Sequence, residues 1–256
     1  MIRDARSVYW NHDLTTLLHA GVWKVWSSTF RHLMPITEPE IRVIDDVKFR
    51  NHTKPPARLG DRWIDFREDT YLENAEVNAH RRFTHEGDDV AIIGGGRGTT
   101  AVHAARQVGY GGSVTVFEGG QIASLIREVV ELNDVDSIVD VQQSIVGEAN
   151  ELYHGMSESA STVGPAELPE VDVLEMDCEG SELGILDALE IRPRVLIVEL
   201  HPKKFDGPNM APVEMIEEMG YEIRYCSTRL ATEISQETFE SRLEENWGDV
   251  IAATYS

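Results

Sequence analysis

The sequence predicts a doubly wound α/β domain: a seven-stranded, mostly parallel sheet with an antiparallel last strand, behind a helical N-terminal extension. Three observations carry this expectation. Short apolar runs alternate with amphipathic segments from about residue 71 onward, a glycine cluster joins the first run to a helix, and the chain closes on two strand-like runs. Parallel strands joined by helices are covered on both faces, so they read as continuous apolar runs.

Residues 1–60 read differently from the rest. Trp23, Trp26, Phe30 and Leu33 recur at helical spacing and give one apolar stripe on a short helix. Such a stripe fits a helix packed on the main core, a homodimer contact or a substrate lid. Lys54-Pro55-Pro56 through Gly60-Asp61 is the best boundary, leaving 61–256 as the main domain.

Within that domain a helix is expected from about Tyr71 to Phe83, then the strand Val90–Ile93 and a helix from Thr100 to about Val108. The strand Ser113–Phe117 ends at Glu118 and precedes a helix from Ile122 to Leu132. A strand follows near Ile138–Gln142. Glu148–Glu170, rich in Ser, Gly and Glu, reads as a long loop. Next come the strand Val171–Met176, a helix Ser181–Leu189, the strand Val195–Leu200 and a helix Pro212–Met219. The strands Tyr221–Cys226 and Val250–Tyr255, separated by a helix-poor acidic loop, suggest a closing hairpin.

The formal net charge of -22, from 45 acidic and 23 basic residues, repels phosphate backbones and argues against nucleic-acid binding. Lysines are scarce (Lys24, Lys48, Lys54, Lys203 and Lys204), so arginine supplies most of the positive charge. An acidic, lysine-poor surface around ordinary apolar segments is expected of a halophilic protein, here of archaeal origin. No apolar run approaches the roughly 20 residues of a membrane span, and the N-terminus lacks a secretory pattern. A cytoplasmic location is expected. Asn51-His52-Thr53 therefore carries no glycosylation signal. Cys178 and Cys226 form no C-x-x-C pair, which excludes a zinc finger and disfavours a disulfide framework.

The strongest local feature is Ile93-Gly94-Gly95-Gly96-Arg97-Gly98-Thr99-Thr100, lying between an apolar strand and a helix. Glycine there permits a tight turn and close approach of a ligand to the backbone. Glu118 ends the next strand, where a carboxylate can accept hydrogen bonds from both hydroxyls of a ribose. A dinucleotide fingerprint would need its third glycine at Thr99, whereas here Gly94, Gly96 and Gly98 give G-x-G-x-G. That register resembles the first motif of class I methyltransferases. One departure is Ile92, which stands where such enzymes usually carry an acid, so contacts to a methionine amino group must come from backbone carbonyls or another acid.

The stretch Asp177-Cys178-Glu179-Gly180-Ser181-Glu182 resembles the D-x-E-G-x-E motif of the FkbM-type methyltransferase family. Val198-Glu199-Leu200-His201-Pro202 follows one strand later. The resemblance runs from about Tyr71 to Leu200. It includes Glu73 ahead of the glycine strand, Asn133 after the following helix, and Ser144-Ile145-Val146-Gly147. It implies a Rossmann-like fold and an enzyme that binds S-adenosyl-L-methionine through Glu73, Gly94, Gly96, Gly98, Glu118, Ser144 and Ile145. It also implies methyl transfer to a hydroxyl oxygen of a small molecule or glycan.

Asp177, Glu179 and His201 are the candidate catalytic groups, one of them serving as general base. Each has a plainer role available: Asp177 capping loop amides, Glu182 as a first-turn acid of its helix, His201 as a satisfied loop histidine. Asp177, Glu179, Glu199 and His201 are also of the types that hold a divalent cation, but their spacing alone assigns no metal site. Cys178, beside two acids, is expected to have a raised pKa. Two other readings stay open: an NAD(P)-dependent oxidoreductase, and a non-catalytic nucleotide-binding protein of the same fold.

Overall fold

A computed structural model describes residues 40–51, 73–147, 160–204 and 207–255. The chain divides into two compact units, residues 1–70 and 71–256. In the first, β1 (Glu40–Ile44) and β2 (Val47–Asn51) form an antiparallel hairpin. Its two-residue turn, Asp45-Asp46, has φ of 45° and 62°, the left-handed pair that a tight hairpin of this twist requires. An all-helical extension does not include this hairpin. The stripe Trp23, Trp26, Phe30 and Leu33 and the boundary near Lys54–Asp61 lie outside the described residues.

The second unit alternates strands and helices. In chain order they are α1 (Asn74–Phe83), β3 (Asp89–Ile93), α2 (Thr99–Val108), β4 (Ser113–Phe117), α3 (Ala123–Leu132) and β5 (Val139–Gln142). There follow β6 (Ser144–Val146), β7 (Ser161–Val163), β8 (Val173–Met176), α4 (Glu182–Asp187), β9 (Val195–Glu199) and α5 (Ala211–Glu218). The chain closes with β10 (Tyr221–Thr228), α6 (Gln236–Glu244) and β11 (Asp249–Tyr255).

Seven strands form one sheet in the order β10-β11-β9-β8-β3-β4-β5, with every pairing parallel except those of β11. The expected mostly parallel sheet with an antiparallel last strand is observed. Residues of β3, β8 and β9 are almost wholly buried, as a sheet covered on both faces demands. Ala91, Ile93, Leu174, Met176, Leu196 and Val198 share one core with Ile185 and Leu186 of α4, Ile216 of α5, and Phe239 and Leu243 of α6. Alternate residues point the other way. Glu175, between Leu174 and Met176, meets His80 of α1 at 2.5 Å.

Two elements were not legible beforehand. The expected acidic loop between the last two strands contains α6, whose buried side chains are only Phe239 and Leu243. Its signal was slight: one i, i+4 apolar pair and Ser235, whose hydroxyl accepts from the Thr238 amide at 3.2 Å. The expected loop Glu148–Glu170 contains β7, which pairs in parallel with β6. Three residues are too few for a periodic pattern. No helix among the described residues is long and apolar enough to cross a membrane.

Candidate active site

β4 and β5 continue the sheet to one side of β3, and β8 and β9 to the other, so the strand order reverses at the β3–β8 boundary. A crevice beyond the carboxyl ends of the strands belongs at such a reversal. The glycine loop after β3 and the acid-rich loop after β8 meet there. The Asp177 amide donates to the Ile93 carbonyl at 2.9 Å. Gly94 has φ 88°, and a Cβ on it would strike the Asp177 carbonyl oxygen, so no larger residue fits. At Gly96, φ 50°, a Cβ would strike the Glu73 carboxylate. Gly94 is therefore required for both backbone sign and space, and Gly96 for backbone sign.

Glu118 stands at the end of β4, 6% exposed, and its two oxygens take separate amides. Oε2 accepts from Gly95 N at 3.2 Å and Oε1 from Gly120 N at 2.7 Å. The carboxylate thus clamps the glycine loop to the turn after β4. Burial raises its pKa, with the Gly120 and Gly95 amides opposing. Ile145 on β6 packs against Gly119 closely enough to exclude a Cβ there. The neighbouring Ser144 hydroxyl is buried without a partner.

Glu73 caps the start of α1 at φ 30° and accepts from the Arg97 amide at 3.3 Å through Oε1, while Oε2 is buried without a partner. Burial, reinforced by Asp177 and Glu175, pushes its pKa up to about 8. One turn on, Glu76 is likewise pushed up to about 8 by burial and then Asp177. Ile92, in the place where an acid is usual, is fully buried in β3. Glu73 is the acid that instead reaches the glycine loop.

Asp177 and His201 converge: His201 Nε2 lies 3.6 Å from Asp177 Oδ1 and 3.7 Å from Glu199 Oε1. His201 Nδ1 lies 3.0 Å from Glu182 Oε1. Glu182 is the first residue of α4 and completely buried, so it is both a first-turn acid and the partner of His201. Arg229 pairs with Glu199 from outside. Burial and then Glu199 hold the Asp177 pKa well above its usual range, against the pull of His201. Burial pushes Glu199 to about 7, with Glu76 adding to it. For His201 burial acts downward, yet Glu182, Glu199 and Asp177 together raise its pKa. Glu179 does not join this group. It has φ 57°, its side chain is 47% exposed, and it pairs with Lys204. Cys178 is buried and free, its thiol pushed well up by burial and by Glu182.

Sequence reasoning misses three acids in their tertiary roles: Glu76 beside Asp177, Glu175 with His80, and Glu182 as the partner of His201. Glu175 had a usable signal, because a carboxylate in the middle of an otherwise apolar strand must find a buried partner.

A model of the FkbM methyltransferase domain matches residues 161–223, the stretch carrying Asp177, Glu182, Glu199 and His201. No curated protein matches the chain. Similar solved structures include a SAM dependent methyltransferase from Aquifex aeolicus, 17% identical over 72% of this chain and 90% of that one, TM-score 0.43. The O-methyltransferase TomG from Streptomyces achromogenes, solved with SAM, is 14% identical over 72% and 78%, TM-score 0.42. A SAM-dependent O-methyltransferase from Thermotoga maritima is 14% identical over 85% and 78%, TM-score 0.45.

Proposed function

We propose that this protein is an S-adenosylmethionine-dependent methyltransferase acting on a hydroxyl oxygen of a small molecule or glycan. The observation that carries the cofactor assignment is Glu118. A carboxylate has about four acceptor positions. Gly95 and Gly120 take two of them, which leaves two for the paired hydroxyls of a ribose. Gly94, Gly96 and Gly98 let the nucleoside approach the backbone, and Ser144 and Ile145 border the base. The unpartnered oxygen of Glu73 offers the methionine amino group the acid that Ile92 cannot provide.

When bound, the cofactor supplies a methyl group on a positively charged sulfur. The chain's own task is alignment, since in-line displacement gains most from holding donor and acceptor together. Asp177 and His201 lie at adjacent strand ends and can draw the proton from an acceptor hydroxyl. Glu179, the third catalytic candidate, pairs with Lys204 and stands apart from Asp177 and His201, so it is the weaker choice of base.

The acidic, lysine-poor composition supports a halophilic cytoplasmic enzyme. Binding of S-adenosylhomocysteine, measured by calorimetry in molar salt against NAD and NADP, tests the assignment. Binding of the first alone is expected. A preference for either dinucleotide would replace it with the oxidoreductase reading.

A further inference from the structure

We propose that Asp177, Glu199 and His201 form a binding site for one first-row divalent cation, of the Mn²⁺ or Zn²⁺ kind. Three side chains contribute one ligand atom each, and these atoms lie within 4.8 Å of one another. The inference deepens the methyltransferase reading and rests on it only for the ion's role, not for its binding.

The orientation of His201 is the independent observation. His201 Nδ1 lies 3.0 Å from Oε1 of the fully buried Glu182, and the neutral ring with its proton on Nδ1 presents the Nε2 lone pair to the two carboxylates. A carboxylate behind a histidine is the arrangement that orients metal-binding imidazoles. Nε2 is buried without a hydrogen-bond partner, on a residue only 7% exposed, and it points at two carboxylate oxygens. Asp177 Oδ1 likewise has no hydrogen-bond partner. Nε2 makes no hydrogen bond to either carboxylate, because 3.6 and 3.7 Å are too long.

A cation satisfies this set. Bonds of roughly 2.0–2.2 Å meeting near the tetrahedral angle put neighbouring ligand atoms about 3.4 Å apart, close to the 3.6 and 3.7 Å that separate Nε2 from the two carboxylate oxygens. One imidazole with two carboxylates suits Mn²⁺ or Zn²⁺ better than Mg²⁺, which prefers oxygen alone. Three protein ligands leave a coordination position open, the hallmark of a catalytic rather than a structural ion. Arg229 Nε pairs with the same Glu199 Oε1 from the outside through a side chain that is 48% exposed, and the ion would displace it.

An ion there would acidify an acceptor hydroxyl. The O–H bond breaks with its proton passing to water, the O–CH₃ bond forms as S–CH₃ breaks, and the sulfonium leaves as a neutral thioether. His201, used as a ligand through Nε2, would then not be the base.

The test titrates Mn²⁺ into the full chain in molar KCl, following loss of the free-ion EPR signal, with Zn²⁺ as competitor. One equivalent is expected to bind. Asp177→Asn and Glu199→Gln should weaken it at least about 100-fold, and Glu182→Gln about 10–100-fold, the usual effect of losing an orienting partner. Crystals soaked in Zn²⁺ should show an anomalous peak among the three ligand atoms, a readout that needs no variant to fold. Absence of stoichiometric binding, unchanged affinity in folded Asp177→Asn and Glu199→Gln, or a peak elsewhere would overturn the site. S-adenosylhomocysteine calorimetry on the same samples separates the two readings. Nucleoside binding without an ion removes only the metal site, and ion binding without the nucleoside removes only the methyltransferase assignment.

Discussion

Replacing Glu118 by alanine removes a carboxylate that serves two masters. In the free protein it holds Gly95 N and Gly120 N, at 3.2 and 2.7 Å. In the proposed complex its remaining acceptor positions would take the ribose hydroxyls. Hydrogen bonds to a charged group are worth about 1.5–3 kcal/mol, so loss of the ribose contacts should weaken S-adenosylhomocysteine by roughly 10–150-fold. Glu118→Gln should not rescue this fully. Its single carbonyl oxygen can satisfy one amide, while its NH₂ faces the other N–H. Both variants should also melt lower without ligand, because the glycine loop loses its clamp. Calorimetry with matched melting curves measures the two effects separately. Unchanged affinity in a folded Glu118→Ala variant would refute the argument that this carboxylate is the ribose acceptor.

The remaining predictions concern stability. His80→Leu should strand the Glu175 carboxyl in the core and cost about 3–5 kcal/mol, or roughly 6–20 °C in melting temperature for a domain of this size. The double variant His80→Leu/Glu175→Leu should regain most of that loss, and equal destabilisation in single and double variants would refute the pairing. Glu76 holds a proton to about pH 8 when folded but gives it up near 4.5 when unfolded. Its contribution is therefore complete below about pH 4.5 and lost as pH rises through 8, at up to about 1.4 kcal/mol per unit. Glu76→Gln should flatten the fall in melting temperature between pH 5 and 8, and parallel curves would show that the carboxyl is ionised in the fold. With a formal charge of -22, the melting temperature should rise from low to molar KCl, and a flat profile would remove the halophilic reading.

What the sequence determined by itself was everything governed by local spacing. Apolar runs set the strands of the sheet. The glycines at 94, 96 and 98 announced a loop that side chains cannot enter, and Glu118 marked a strand end facing it. Those signals survive because each depends on residues within a turn or two of one another. Weakly patterned pieces did not survive: α6 buries just Phe239 and Leu243, and β6 and β7 are three residues each. Which acids meet was decided by tertiary structure. Asp177 and Glu179 are two residues apart, yet the left-handed turn at Glu179 sends it out to Lys204 while Asp177 turns inward to His201. Glu182 and His201 come together because parallel pairing of β8 with β9 aligns their carboxyl ends. His80 finds Glu175 across 95 residues for the same reason: a strand buried on both faces must hand its one carboxylate to whichever helix covers that face. Long-range pairing of this kind costs chain entropy that only the whole packed core can offset, so no local pattern can encode it.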